Sequence, residues 1–307
     1  MSALRRHLGD YPALRRALGF KLERSGALLA QFVAFTEEAG ADILTIELAL
    51  AWARLPKGAS PIWVATRLAV VRRFARYLTV LDPAHEVPPD DLLAIRVTRP
   101  TPYLYAPDEI TALMEATKDL ANPLKAATFE TLVGLLACTG LRAGEAMRLD
   151  RGDFDADQAL LTVRDSKFGK SRQVLLHDTT VAALGRYGKR RDELCPSPRA
   201  PALFLSSTGA RLCHAVLQPT FVGLLLRSGV GASAPRRPRV HDLRHSFTVA
   251  TLLGWYRDGA DVAARMPALS TCLGHVDPSS TYWYLSASPE LLALAADRLE
   301  VAFGDVR

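Results

Sequence analysis

Between residues 82 and 103 the chain reads DPAHEVPPDDLLAIRVTRPTPY, with prolines at Pro83, Pro88, Pro89, Pro100 and Pro102. Proline fixes φ, carries no N–H and disfavours the helical region for the residue before it, so neither a helix nor an interior strand can run through this stretch. It reads as an extended linker. Residues 86–102 then separate an N-terminal domain, residues 1–85, from a C-terminal domain, residues 103–307. With 49% hydrophobic and 23% charged residues, the chain has enough apolar material for two cores of ordinary size.

The N-terminal part is helical in pattern. Leu14, Leu18, Leu22, Leu28, Leu29, Phe32, Val33 and Phe35 recur at roughly helical spacing across residues 11–39, and Gly40 suits a C-terminal cap. ILTIELALAWARL, residues 43–55, predicts a second helix. A third opens at Ser60-Pro61, a cap followed by proline in the first turn, and runs to Leu81. At 100° per residue, Val64, Leu68, Val71, Phe74 and Leu78 share one side of this helix, and Arg72, Arg73 and Arg76 fall on the other. The plain reading is a solvated face. Three arginines with no acid among them also suit a phosphate backbone.

The C-terminal part changes period along its length. A helix starts at Ala106-Pro107-Asp108-Glu109, residues 123–138 form a strongly apolar helix, and a short one follows over 143–149. DRGDFDADQALLTVRDSKFGKSRQVLLH then alternates with turn signals, giving two or three short strands with a basic turn at Lys167-Phe168-Gly169-Lys170. Helical patterns return at 178–187, 214–228, 243–254 and 289–302, and SGVGASAPRRPR, residues 228–239, reads as a flexible basic loop. The expected fold is mainly α with a small antiparallel β-sheet in the C-terminal domain.

Composition narrows the function. The formal net charge of +6 fits a polyanionic partner without requiring one. Cys138, Cys195, Cys213 and Cys272 lie far apart with no CxxC pair, which disfavours a zinc cluster or a disulfide framework and suits a reducing compartment. The first residues, MSALRRHLGDYPALRR, lack the apolar core of a signal peptide, and no apolar run reaches the roughly 18 residues of a membrane span. A cytoplasmic protein with no membrane partner is expected. His241 and His245 have the spacing of a helical zinc pair, but Asp242, Leu243 and Arg244 between them do not make HExxH, and no metal or other cofactor is expected.

Four separated pieces carry candidate chemistry: Arg142 and Glu145 in CTGLRAGEAMRL, Lys167 and Lys170 in SKFGK, His241 and Arg244 in HDLRH, and His275 and Tyr284 in LGHVDPSSTYWYL. Each alone has a dull explanation, including a Tyr-Trp-Tyr run that is usually core. Together they supply what metal-free attack on a phosphodiester needs. Two guanidinium forks can bind the non-bridging oxygens bidentately and stay charged as negative charge builds. A lysine can protonate the leaving sugar oxygen, and histidines can move protons near neutral pH. A tyrosine can form a phosphoester that is later reversed, because phenolate leaves well.

In this order, TGLRAGE, SKFGKSRQVLL, HDLRHSF, and LGH with a tyrosine nine residues after its histidine resemble the tyrosine recombinases, also called the phage integrase family. The resemblance covers residues 103–290 strongly and the N-terminal helices loosely. It implies a C-shaped clamp on double-stranded DNA, built from a helical SAM-like core-binding domain and an α/β catalytic domain. In that reading Arg142 and Arg244 hold the scissile phosphate, His241 and His275 complete the pocket, Lys167 is the general acid with Lys170 as its fallback, and Glu145 supports the site. Tyr284 is the nucleophile and Tyr282 is packing or support. Arg72, Arg73, Arg76 and Lys170 become candidate DNA contacts. The resemblance also implies a synaptic tetramer of protomers on DNA, with a partner recombinase or accessory protein as a further requirement in some members. Residues 289–303 suit docking on a neighbouring subunit or folding back on their own domain. Leu285-Ser286 depart from the polar residue and histidine that often follow the nucleophile, while Trp283-Tyr284-Leu285 and the SPELL stretch look like transposon-encoded integrases. The implied activity is site-specific recombination for integration, excision or transposition. A type IB topoisomerase, a DNA-binding protein without catalysis and a metal-dependent nuclease are the competing readings.

Overall fold

The computed structural model describes residues 3–20, 22–93, 101–164, 170–275, 277, 279–286 and 289–304. The chain divides into two compact units, residues 1–100 and 101–307.

The first unit holds four helices, α1 (Ala3–Ala17), α2 (Glu23–Glu38), α3 (Ile46–Arg54) and α4 (Pro61–Leu81). The single helix expected over 11–39 is two: Gly19 turns the chain at φ +85° and Leu22 follows at φ +47°, backbone values that end α1 and restart the chain as α2. Thr45 and Ser60 cap α3 and α4 by accepting the N–H groups of Leu48 and Trp63, both at 3.3 Å. The core gathers Leu29, Phe32, Val33, Trp52, Leu68, Val71, Phe74 and Leu78. Arg67 is buried within it because its guanidinium lies 3.7 Å above the Trp52 ring and donates to the Trp52 carbonyl at 2.8 Å. Part of the stretch expected to be linker packs on this unit: Val87, Leu92 and Leu93 lie against its core, and the buried His85 accepts the Leu44 N–H at 3.0 Å through Nδ1.

The second unit opens with α5 (Pro107–Glu115), α6 (Pro123–Thr139) and α7 (Ala143–Arg148). The apolar helix α6 is central. It packs against α5 and against the later helices α8 (Asp178–Leu194) and α10 (Asp242–Arg257), which is why it carries no polar stripe. Strands β1 (Phe154–Asp155), β2 (Leu160–Val163) and β3 (Arg172–Leu175) form an antiparallel sheet in the order β1-β2-β3, with Leu161 opposite Val174 and Val163 opposite Arg172. Leu161, Val163 and Val174 enter the core. Helix α9 (His214–Ser228) lies between α8 and α10 in sequence.

The sequence pattern gave no helix between 254 and 289, because Pro267 and Gly259 interrupt it. The structure has α11 (Val262–Leu273), opened by Asp261 accepting the Ala264 N–H at 3.0 Å and closed by Gly274 at φ +66°. A single turn, α12 (Ser279–Tyr282), leads into a tighter turn over Trp283–Ser286. Helix α13 (Pro289–Phe303) folds back on its own unit: Leu291 is buried, Arg298 donates to the carbonyls of Trp255, Tyr256 and Ala260, and Arg257 pairs with Glu290. The basic loop expected to be flexible makes a compact turn in which Gly231 lies so close to Pro238 that a Cβ there would sit 2.2 Å from the ring.

Candidate active site

Three arginines from three elements converge on the last carbonyls of one helix. Arg172 on β3 donates to Cys272 O at 2.8 Å, Arg244 on α10 to Leu273 O at 2.7 Å, and Arg142 before α7 to Gly274 O at 3.1 Å. These carbonyls end α11, where unpaired C=O groups and the helix dipole favour cations. The helix that the sequence pattern missed is therefore the element on which the arginines assemble.

Glu145 ties two of them together. Its carboxylate is buried and accepts Arg142 at 2.7 Å and Arg172 at 2.8 Å, and it also accepts the backbone N–H of Arg142 at 3.1 Å. The Arg-x-x-Glu spacing around the start of α7 makes this reach-back possible. Arg172 had no role in the sequence reading. Its signal was its place two residues beyond Lys170 on an alternating strand.

Arg244 is held differently. It is 2% exposed, and it donates to Gly140 O at 2.8 Å as well as to Leu273 O. Both acceptors terminate helices, since Gly140 caps α6 and Leu273 ends α11. Among the described residues no carboxylate forms an ion pair with it. Burial and the neighbouring Arg142 pull its pKa down to about 10, so it stays protonated at neutral pH. Asp242, fully buried beside it in sequence, is taken by Arg239 at 2.9 Å. The site thus gathers Arg142, Arg172 and Arg244, of which, among the described residues, Glu145 pairs with the first two, an excess of positive charge that suits an anion.

Tyr284 closes the site, and Tyr282 does not. Tyr284 is 3% exposed, while Tyr282 is 50% exposed. The Tyr284 hydroxyl lies 2.9 Å from His245 Nδ1, and its ring stacks at 11° on His275 with centroids 6.4 Å apart. Burial raises its pKa, while Arg244, Thr248 and Arg142 pull it back down. His275 is itself fixed by a 2.6 Å hydrogen bond between Nδ1 and the buried Thr281 hydroxyl. Its pKa falls to about 4, first from burial and then from Arg244, Arg142 and Arg172. His241 sits at the start of α10 with its ring edge-on to His245, centroids 4.8 Å apart, and its pKa is lowered by desolvation and by Arg244.

The predicted residues are therefore distributed as follows. Arg142, His241, Arg244, His275 and Tyr284 come together around the end of α11. Lys167 lies outside the described residues. Lys170 is exposed. In the first unit, Arg72 is mostly covered: it donates to Pro88 O at 2.7 Å and Pro89 O at 2.6 Å and pairs with Asp90 at 3.4 Å. Arg76 also pairs with Asp90, at 2.7 Å, and Arg73 is exposed beside Tyr11, Arg15 and Phe20. The arginine stripe of α4 is partly spent on the segment that follows it. His245, like Arg172, carries no site role in the sequence motifs, where its spacing from His241 suits only half of a zinc pair.

The sequence model of the phage integrase family matches residues 104–290, which is more than half of the chain and spans every residue gathered at the site. The chain belongs to the phage integrase family of tyrosine recombinases. Tyrosine recombinases are site-specific enzymes that cleave and rejoin DNA, and this chain is one of them. It is 43% identical to the "Putative integrase/recombinase y4rB" of Sinorhizobium fredii, over 99% of both chains. It is 30% identical to tyrosine recombinase XerD of Brucella abortus, over 77% of this chain and 75% of that one. Among solved structures, the Tn1549 transposon integrase in complex with transposon right end DNA superposes with a TM-score of 0.67 at 17% identity, covering 98% of this chain and 99% of that one. At that identity the likeness shows a shared fold, mostly helical with a small antiparallel sheet.

Proposed function

We propose that this recombinase cuts double-stranded DNA by attack of Tyr284 on the scissile phosphate, forming a 3′-phosphotyrosyl link. The observation that carries the choice of residue is the position of Tyr284, buried with its hydroxyl among His245, Arg244 and Thr248, while Tyr282 faces solvent. Arg142 and Arg244 bind the non-bridging oxygens, where charge grows in the transition state; loss of one such preorganised donor typically costs roughly 10²–10³ in rate. His241 and His275 complete the pocket, and Lys167 protonates the departing 5′-oxygen. Glu145 and Arg172 hold Arg142 in place. The 5′-hydroxyl of a partner strand then attacks the phosphotyrosine and restores the tyrosine. The ester conserves the energy of the broken bond, so the cycle needs no ATP, and the guanidiniums carry the charge that a metal would otherwise carry.

In the same reading residues 1–85 form the core-binding domain, on whose core part of the 86–102 linker packs, and residues 103–307 form the catalytic domain. Arg73 and Arg76, with Lys170, face the phosphate backbone. Exchange needs two duplexes, so the acting form is a tetramer of protomers on DNA, with a partner recombinase or accessory protein where the site demands one. The DNA-bound state of the Tn1549 integrase supports a duplex partner.

The test is a suicide-substrate assay in EDTA, using nicked duplexes that span the ends of the DNA element carrying the gene. Wild type and Tyr282→Phe should form a covalent protein–DNA adduct and Tyr284→Phe none. An adduct that survives Tyr284→Phe, or that disappears with EDTA, sinks the assignment.

A further inference from the structure

We infer that His245 is the group that takes the phenolic proton of Tyr284 when the tyrosine attacks DNA. The inference rests on the assignment of Tyr284 as nucleophile.

The geometry singles out His245 among the histidines of the site. Its Nδ1 lies 2.9 Å from the Tyr284 hydroxyl, while Nδ1 of His275 is occupied by Thr281 and the His275 ring meets the tyrosine only face to face. His241 meets the His245 ring edge-on, and among the described residues it is the His245 ring that hydrogen-bonds the tyrosine. A base must lie within about 2.6–3.2 Å of the proton's heavy atom to remove it, and among these three rings His245 alone does so.

The residue is also held for the task. It lies on α10 directly after Arg244, so the helix that places the phosphate-facing guanidinium places the imidazole as well. Edge contacts with His241 at 4.8 Å and Trp283 at 5.7 Å confine the ring. With its proton on Nε2 the neutral ring presents the Nδ1 lone pair to the tyrosine O–H. Burial and the nearby His241 lower its pKa to about 4, which keeps it neutral before DNA binds. Burial raises the phenol's pKa, which favours a neighbouring acceptor for its proton. A bound phosphodiester brings negative charge next to Arg244 and His241 and so strengthens the imidazole as the phenol gives up its proton.

The step balances. The O–H bond of Tyr284 breaks and an N–H bond forms on His245 Nδ1, making an imidazolium. The phenolate oxygen forms a bond to phosphorus as the bond from phosphorus to the 5′-oxygen breaks. That oxygen leaves with a proton from the separate donor proposed above. In the return step the imidazolium gives its proton back to the departing phenolate.

The test compares wild type with His245→Asn, His245→Ala and Tyr284→Phe in single-turnover cleavage of the nicked duplex. Asparagine can accept a hydrogen bond from Tyr284 but cannot hold its proton. Binding by gel shift and the urea midpoint check that each variant folds. The expected result is a rate loss of at least tenfold in both histidine variants that bind DNA, within the roughly 10²–10⁴ that general acid–base groups contribute. A second substrate carries sulfur in place of the scissile 5′-oxygen, so its leaving group needs no proton. The histidine variants should stay slow on it, because their defect lies in the nucleophile. His245→Asn within tenfold of wild type, or recovery of the variants on the sulfur substrate, overturns the inference. If wild type gives no adduct, or Tyr284→Phe gives one, the nucleophile assignment has failed instead.

Discussion

Replacing Gly140 by alanine tests how tightly the arginine pocket is built. Gly140 caps α6 at φ +63°, and a Cβ there would lie 2.5 Å from Phe247 Cδ1 and 2.9 Å from Leu273 Cδ2. Leu273 is fully buried, so its side chain is packed on every side, and its carbonyl holds Arg244, so a shift of its backbone would disturb the site. Two costs add. An L-residue in the left-handed region loses about 1–2 kcal/mol, and forcing an extra methyl into a packed core costs about 1–3 kcal/mol. The expected loss is therefore about 2–5 kcal/mol. Gly229 is the matched control: it caps α9 at φ +69° with nothing within 4 Å of a Cβ, so Gly229→Ala should show only the backbone part. Both glycines lie in the second unit, so unfolding of the first unit cancels in the comparison. Urea unfolding by tryptophan fluorescence measures the difference, and adduct formation measures the chemistry. Gly140→Ala should also slow cleavage by about 10²-fold, the effect of an ångström-scale displacement of a positioning group, because Gly140 O is one of the two carbonyls holding Arg244. If the two variants unfold within about 0.5 kcal/mol of each other, the close packing inferred around Gly140 is wrong.

The remaining predictions concern pH and the first unit. His245 and His275 have folded pKa values near 4, below the ordinary 6.5, so the unfolded chain takes up protons first as pH falls. Stability of the DNA-free chain should be full above about pH 6.5 and decline toward pH 4, by on the order of 2 kcal/mol per ring; His245→Asn should flatten the urea midpoint across that window, and an unchanged slope would contradict the placement. Arg73→Ala should weaken duplex binding and reduce the salt slope by about one, with little change in stability. Arg72→Ala should instead lower the urea midpoint, since it removes the bonds to Pro88 O and Pro89 O; equal effects of the two variants on stability would refute the distinction.

Much of the fold was legible in local pattern. The cap at Ser60-Pro61, the apolar run of α6 and the alternation over β2 and β3 each report on the residues that form them. The break at Gly19 was not legible, because the leucines on either side keep a helical spacing through it. Helix α11 was hidden by Pro267, and what sustains it is burial of Val262, Met266, Leu269 and Leu273, together with the Asp261 cap.

The sequence by itself determined the chemistry available: two arginines, a lysine, two histidines and a tyrosine in a fixed order of motifs that read together as one family. Tertiary structure decided which atoms face each other. Tyr284 rather than Tyr282 enters the site because the turn after α12 buries one ring and leaves the other in solvent. Arg172 joins the site because the register of β3 brings it to Glu145, and His245 reaches the tyrosine because α10 and the C-terminal turns pack together. These are long-range contacts. They depend on how buried helices stack and where helix ends expose carbonyls; local spacing marks Tyr284, nine residues after His275, but neither its partner His245 nor the Arg172–Glu145 pair.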